Sequence, residues 1–438
     1  MQETGENMRD LQVIRPGGRL RGEIQVPGDK SISHRAVMLG ALGKGETVIR
    51  GLLRGEDILA TLEAFRGMGV EVLDEPGDVL RIRGRGLNGL QEPQDVIDCG
   101  NSGTTMRLMT GLLAGQRFFS VLTGDRFLRK RPMKRVVVPL TGMGARILGR
   151  AGGEFAPLAL KGSPLTGITH QSAVASAQVK SALMLAGLYA DGPTTIREPH
   201  VSRDHSERML RWFGADVRPF DGGVTLYPGR ALQGREVTVP GDISSAAFFM
   251  VAALIVPGSE LIIRQVGVNP TRSGIIDILR AMGGQIELLD QRECSGEPVA
   301  DILVRASDLK GVEIGGALVP RAIDEFPVIS VAACFAEGRT VIRDARELRV
   351  KETDRIASMC SQLEALGAQV EARDDGMVID GGSELGAGQV SALGDHRIGM
   401  SMAVAALRAR GSVTISETAC TATSFPGFWE LFDASREV

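Results

Sequence analysis

The sequence predicts an α/β protein of two domains, each built from three copies of one helix-and-strand unit. Three observations carry this. One segment type, an apolar helix-like run followed by glycine and a short β-branched run, occurs six times, and such recurrence marks duplicated supersecondary units. The glycines closing these runs, Gly45, Gly115, Gly192, Gly258, Gly338 and Gly411, stand roughly 70 residues apart. Between them falls a second signature, an amphipathic helix that ends in glycine before an alternating strand. Units this long, each with its own helix pair, favour packed globules over a thin solenoid, and six divide naturally as three plus three.

The first copy reads HRAVMLGALGKGETVIRG from His34, and the others begin at Thr105, Lys180, Ser245, Pro327 and His396. The second signature appears as LEAFRGMGVEV, LTGMGARIL, MLRWFGADV, ILRAMGGQIEL and LEALGAQVEA. Its glycines, Gly69, Gly144, Gly214, Gly283 and Gly367, are placed to supply the left-handed cap that turns helix into strand. The longest apolar run, residues 246 to 256, covers 11 residues, well short of the roughly 20 needed to span a bilayer. It reads as a buried core helix.

Composition narrows the function. At 438 residues the chain is no peptide-sized binding module. Fifty Lys and Arg against 53 Asp and Glu leave a net charge of -3, which offers no footprint for duplex nucleic acid or an anionic membrane. Two Trp and two Tyr make a poor platform for stacking bases. The five cysteines are scattered without a CxxC pair, so neither a disulfide framework nor a zinc site is expected, and a reducing cytoplasm fits. The opening MQETGENMRDLQVI lacks the pattern of a secretory signal, and no export is predicted.

Chemistry is expected where the buried helices begin. Five of the six are entered through polar segments their hydrophobicity does not require: PGDKSISHR, CGNSGTTMR, ASAQVKS, PGDISS and GDHR. Helix N-termini present unpaired N–H donors and partial positive charge, so small or capping residues joined by Lys or Arg suit phosphate or carboxylate. Residues 125 to 135, DRFLRKRPMKR, gather six cations against one acid. Pro132 makes this segment read as a loop able to close over an anion, the alternative being a solvated face. In ELRVKETDRI, Lys351 and Arg355 would repel at i, i+4 on a helix. Either a shared anionic partner or pairing with Glu352 and Asp354 would relieve that repulsion. GRGLNG, from Gly84, matches a dinucleotide fingerprint, but LQEPQDV after it is no Rossmann helix. There is no P-loop and no GxSxG, and His200 and His205 lack metal-ligand spacing. No metal and no cofactor are expected.

PGDKSISHRA, GNSGTTMR, RKRPM, SAQVKSA, SRDHSE, IDEFP, LRVKETDR and GDHRIGMS, in this order from residue 27 to 402, closely resemble the 5-enolpyruvylshikimate-3-phosphate synthase (3-phosphoshikimate 1-carboxyvinyltransferase) family of enolpyruvyl transferases. The resemblance implies a two-domain inside-out α/β barrel of three βαβαββ repeats per domain. One domain would comprise residues 1–28 plus 243–438 and the other 29–242, with hinges near 28 and 242. It implies transfer of the enolpyruvyl group of phosphoenolpyruvate to the 5-hydroxyl of shikimate 3-phosphate, on the shikimate route to aromatic amino acids, by a cytoplasmic monomer. It also implies that the domains close around the two anions.

Carried over position by position, Lys30, Ser31, Arg35, Ser176, Gln178 and Arg203 resemble binders of shikimate 3-phosphate, together with Asp324 and Lys351. Lys30, Gly103, Arg131, Gln178, Arg355 and Arg397 resemble the phosphoenolpyruvate site. Asp324 resembles the base for the 5-hydroxyl, Glu352 the proton donor, and Lys30 a further catalytic group. Two departures stand out: Ala177 where much of the family has Ser, and Thr423 where many members have Lys. With SRDH they resemble a subgroup often tolerant of glyphosate, a phosphoenolpyruvate mimic for which this family is the target, whereas Gly103 keeps the roomy entrance associated with sensitivity. The related UDP-N-acetylglucosamine enolpyruvyl transferases typically carry Lys-Asn and a reactive Cys in the basic loop. Here Lys30 is followed by Ser31, and no Cys lies between Cys99 and Cys294.

Overall fold

The structure, a computed structural model, describes residues 10–437. The chain forms two compact units. One comprises Gly28–Pro240 with Glu293–Glu297; the other comprises the described residues up to Pro27, Gly241–Arg292 and the described residues from Pro298 onward.

Six sheets are present among the described residues, one per repeat. Within the first unit all three follow one pattern. Ile97–Asp98 runs parallel to Phe119–Thr123, which pairs antiparallel with Phe155–Lys161, which pairs antiparallel with Arg146–Gly149. The helix Gly103–Ala114 separates the parallel pair, and Lys134–Gly142 precedes the hairpin, giving the order βαβαββ. The sheet around Thr194–Arg197 repeats it; that around Lys44–Arg50 has the same pairing, but its parallel strand, Glu236–Thr238, comes from the end of the unit. In the other unit, Glu313–Ile314, Arg339–Ile342, Gly376–Asp380 and Gln369–Arg373 do the same. Two further sheets there recruit the beginning of the described chain: Leu11–Ile14 pairs antiparallel with Val413–Ser416, and Arg19–Gln25 parallel with Glu260–Gly267.

The second-signature glycines do what their position predicts. Each follows the last helical turn with φ between +80° and +99°, a left-handed conformation costly for a residue with a Cβ. The glycines assigned to closing the apolar helices need correction. Helix Lys30–Leu42 ends before Gly43, and Gly45 lies inside strand Lys44–Arg50; helix Ala177–Gly187 ends five residues before Gly192. Of the six, Gly115 is itself the residue capping its helix. The apolar helices stop where the chain must enter the next strand, and the glycine serves that connection.

Each unit has its own apolar cluster. The helix Ile243–Ile255 is buried along its whole length, as its apolar run predicts. Its Phe249 meets Phe425, Phe428 and Phe432 at ring-centroid distances of 6.0, 6.0 and 6.4 Å, and burial of each ring contributes about 1.5–3 kcal/mol. Strand Val79–Arg85 leads into irregular chain rather than a helix, consistent with rejecting a nucleotide fold at Gly84.

Candidate active site

A helix buried to its first turn must satisfy its leading N–H groups locally, and here short polar side chains do so. Asp29 accepts from the Ile32 amide at 2.9 Å, Ser102 from Thr105 at 3.1 Å, Asp242 from Ser244 at 2.8 Å, and Asp395 from Arg397 at 3.0 Å. Lys30, Gly103 and Arg397 lie in the first turns of three of these helices, Ser176 and Arg355 stand at the entrances of two others, and Arg131, Arg203, Asp324, Lys351 and Glu352 lie in connecting segments.

In the Gly28–Pro240 unit, Lys30 opens helix Lys30–Leu42 and pairs with the buried carboxylate of Asp57. Arg35, 5% exposed, donates from Nε to Ser206 Oγ at 2.7 Å, from Nη2 to Ser181 Oγ at 2.7 Å, and from Nη1 to the Ser31 carbonyl at 2.8 Å. Burial pulls its pKa down to about 10, against the opposing pull of Glu207. Arg35 therefore braces Ser31 from below. Ser176 caps helix Ala177–Gly187 and donates its own amide to Glu198 at 3.1 Å. Arg203 lies in the loop between Thr194–Arg197 and His205–Trp212, directly after Ser202.

Gly103, Arg131 and Gln178 come together around a residue the sequence reading left unassigned. Arg107 donates from Nη1 to Gln178 Oε1 at 2.6 Å and from Nη2 to the Pro132 carbonyl at 3.2 Å. Gln178 Nε2 donates to Thr104 Oγ1 at 3.1 Å, so the orientation of its amide is set from both ends. Arg131 donates to Asn101 Oδ1 at 2.6 Å, and Asn101 donates to Asp125 at 2.7 Å. Asp125 also accepts from the amides of Phe127 and Leu128 at 2.9 and 2.7 Å, so the lone acid of the basic segment folds it. That segment is a loop with one short turn, Leu128–Lys130, before helix Lys134–Gly142. A Cβ on Gly103 would sit 3.0 Å from Arg107 Nη1 and 3.2 Å from Arg131 Nη1.

The other unit gathers the acids. Arg355, 1% exposed, is the hub: Nε donates to Asp395 at 2.8 Å, Nη2 to Glu352 at 2.6 Å, and Nη1 to Asp324 at 3.3 Å. Burial works against its charge, but Asp395 and Glu352 outweigh that and hold its pKa above the usual arginine value. Asp395 moves the other way: burial would raise its pKa, yet the Arg355 charge keeps it below the ordinary carboxylate value. Lys351 Nζ lies 3.4 Å from Asp324 Oδ1. Lys351 and Arg355 do not share a helix, because Arg355–Ala365 begins only at Arg355, where Asp354 accepts from the Ala357 amide at 3.1 Å. Pairing within the segment does occur, Glu352 with Arg355 and Asp354 with Arg349 at 2.6 Å. Arg397 donates to the Asp324 carbonyl at 3.1 Å and lies 3.8 Å from Glu325. Glu325 is in turn held by Arg272 at 2.7 Å and by Ser244. Thr423 ends the short turn Thr418–Thr423.

Besides Arg107, the sequence reading left Asn101, Asp57, Asp395, Glu325 and Arg272 unassigned. Arg107 and Asp395 stand inside the motifs GNSGTTMR and GDHR, so their signal was present; Asp57 and Arg272 are brought in only by tertiary packing. His205 is buried with its Nδ1 2.8 Å from Glu297 Oε1.

A family model described as EPSP synthase (3-phosphoshikimate 1-carboxyvinyltransferase) matches residues 14–432. A 3-phosphoshikimate 1-carboxyvinyltransferase of Syntrophotalea carbinolica is 82% identical over 430 residues, covering 98% of this chain and 100% of the relative. One from Geobacter sulfurreducens is 68% identical, covering 95% of this chain and 97% of its own. Among solved structures, an EPSP synthase from Acinetobacter baumannii superposes with a TM-score of 0.88 at 45% identity, covering 98% of each chain. The enolpyruvyl transferase NikO from Streptomyces tendae, at 18% identity and a TM-score of 0.79 with 98% of each chain covered, shares the fold. By sequence across nearly its full length, and by a six-repeat α/β architecture, this chain belongs to the EPSP synthase family.

Proposed function

We propose that the residues at these helix entrances carry out the family's reaction. The enolpyruvyl group of phosphoenolpyruvate passes to the 5-hydroxyl of shikimate 3-phosphate and phosphate leaves. The reaction needs a proton delivered to the phosphoenolpyruvate methylene, which makes its C2 electrophilic, and a proton removed from the 5-hydroxyl. A tetrahedral intermediate then collapses with these roles reversed. Glu352 serves as the proton donor and Asp324 as the base, with Lys351 bridging the hydroxyl and the carboxylates. Lys30, Gly103, Arg131, Gln178 and Arg397 hold phosphoenolpyruvate; Lys30, Ser31, Arg35, Ser176, Gln178 and Arg203 hold shikimate 3-phosphate. The guanidinium groups suit phosphoryl oxygens, and charge-assisted donors count most where charge develops. Arg355 belongs to the phosphoenolpyruvate site as well, and it fixes Glu352 and Asp324.

The observation that carries this reading is the convergence of Asp324, Glu352 and Asp395 on Arg355 at 3.3, 2.6 and 2.8 Å, with Lys351 3.4 Å from Asp324: an acid and a base on one buried cation. Residues 29–242 would supply the anion clamps and residues 1–28 plus 243–438 the proton-transfer groups. No helix among the described residues is long and apolar enough to cross a membrane; a cytoplasmic monomer is the working form proposed. Phosphate release from phosphoenolpyruvate, with shikimate 3-phosphate offered against UDP-N-acetylglucosamine, tests the assignment. Release with the former alone is expected, and no release with it would overturn the reading.

A further inference from the structure

Lys180 lies one turn into helix Ala177–Gly187, 3% exposed, between two glutamates. Its Nζ is 2.9 Å from Glu198 Oε2 and 2.7 Å from Glu207 Oε1, and it donates to the Ser202 carbonyl at 3.2 Å. Burial alone would favour loss of its proton, but the charges of Glu207 and Glu198 outweigh that and raise its pKa above the ordinary lysine value. Apolar residues of similar volume would often be at least as stable here, so burying these charges calls for another reason.

The remaining contacts of Glu198 supply one. Its Oε1 accepts from the Ser176 amide at 3.1 Å and from Ser202 Oγ at 2.7 Å, and its Oε2 from the Ser202 amide at 3.4 Å. Ser176 caps its helix, and Ser202 is the residue before Arg203. One buried carboxylate thus fastens together the two segments that carry Ser176 and Arg203, and Lys180 fastens that carboxylate.

We propose that Lys180 and Glu198 are a positioning pair for the phosphate of shikimate 3-phosphate. Glu198 sets the spacing between Ser176 and Arg203, and Lys180 cancels a negative charge that would otherwise repel the incoming phosphate through a low-dielectric interior. The proposal rests on the assignment of Ser176 and Arg203 to that phosphate, and neither Lys180 nor Glu198 touches the reacting atoms.

The test measures shikimate 3-phosphate binding by calorimetry, and the KM of phosphoenolpyruvate by phosphate release, on the full chain. Lys180→Met is expected to weaken shikimate 3-phosphate binding by about tenfold or more, as removing one partner of a buried charge pair does, with the phosphoenolpyruvate KM held within about twofold. Adding Glu198→Gln should restore part of the lost affinity, because the carboxylate joined to the Ser176 and Ser202 segments is then neutral, although Glu207 still lacks its lysine, and an acceptor for the Ser176 amide remains. Ser202→Ala keeps both ion pairs, and hence the fold, and should weaken binding a few-fold; this variant decides the matter if Lys180→Met does not fold. Unchanged binding in Lys180→Met or in Ser202→Ala, no recovery in the double variant, or both substrates affected alike would each overturn the proposal. Failure of the parent protein to bind shikimate 3-phosphate would instead overturn the site assignment beneath it.

Discussion

Arg355 Nη2 donates to Glu352 Oε2 at 2.6 Å while Nη1 of the same guanidinium reaches Asp324 Oδ1 at 3.3 Å. The proposed proton donor and proton acceptor therefore share one buried planar cation, whose fork fixes the separation and direction of the two carboxyls. Asp395, itself fully buried, locks the remaining edge of the fork.

Lysine cannot reproduce that fork, because an ammonium is a point charge on a flexible stem. Arg355→Lys is expected to lower kcat by about 10²-fold through misplacement of the carboxyls and to lower the melting temperature. Steady-state kinetics with both substrates saturating, alongside thermal unfolding, checks this. Turnover at the parent level would show that the hub does not organise the chemistry.

Asp324→Ala and Glu352→Ala should each reduce kcat by about 10² or more, as expected for loss of a general acid or base. Either variant turning over near the parent rate loses its assigned role.

Gly103→Ala inserts a methyl 3.0 Å from Arg107 Nη1 and 3.2 Å from Arg131 Nη1. Both neighbours are the ends of flexible side chains, so the protein should fold normally while the two guanidiniums shift. The KM for phosphoenolpyruvate should rise a few-fold, and further in Arg131→Ala, where the charge itself is lost. Initial rates at varied phosphoenolpyruvate decide the point: an unchanged KM in both would make residues 125 to 135 an ordinary solvated face.

Two buried histidines should pull stability in opposite directions with pH. Burial, helped by the Lys30 and Arg35 charges, holds the pKa of His34 well below its usual 6.5. The unfolded chain takes up that proton near 6.5 and the folded protein does not, so stability falls as pH drops below that value. For His205 burial acts the same way, but the charge and hydrogen bond of Glu297 prevail and raise its pKa. Its contribution is fully present below 6.5 and is lost as pH climbs through the raised value. Denaturant midpoints across pH 5 to 9, roughly the window in which histidines titrate, should show a smaller acid loss in His34→Gln and a smaller alkaline loss in His205→Gln. Slopes identical to the parent would contradict both assignments.

The repeat was legible because a left-handed glycine closes each of the five second-signature helices, and only local geometry is needed to read it. The helix entrances were legible for a similar reason: a capping Asp or Ser beside a cation is visible within a few residues. What escaped depends on distant partners. Lys180 looks like an ordinary helix residue until Glu198 and Glu207, 18 and 27 positions away, close on it. In the cluster at 347 to 356, charge spacing alone does not show where the helix begins; Asp354 caps it and leaves Lys351 outside, 3.4 Å from Asp324. Burial of Arg355 could not be read from charge spacing, because it depends on Asp395, brought in from the entrance of another repeat.

The strand Leu11–Ile14 has its partner at Val413–Ser416, and Arg19–Gln25 finds partners at Glu260–Gly267 and Arg436–Glu437. On the ribosome these early strands emerge hundreds of residues before their last partners exist. The three repeats between residues 28 and 240 can meanwhile assemble from contiguous chain. Synthesis order therefore makes the clamp-bearing unit the natural first folder, and leaves two exposed strand edges waiting for the C-terminal repeat, the interval in which this chain is most open to aggregation.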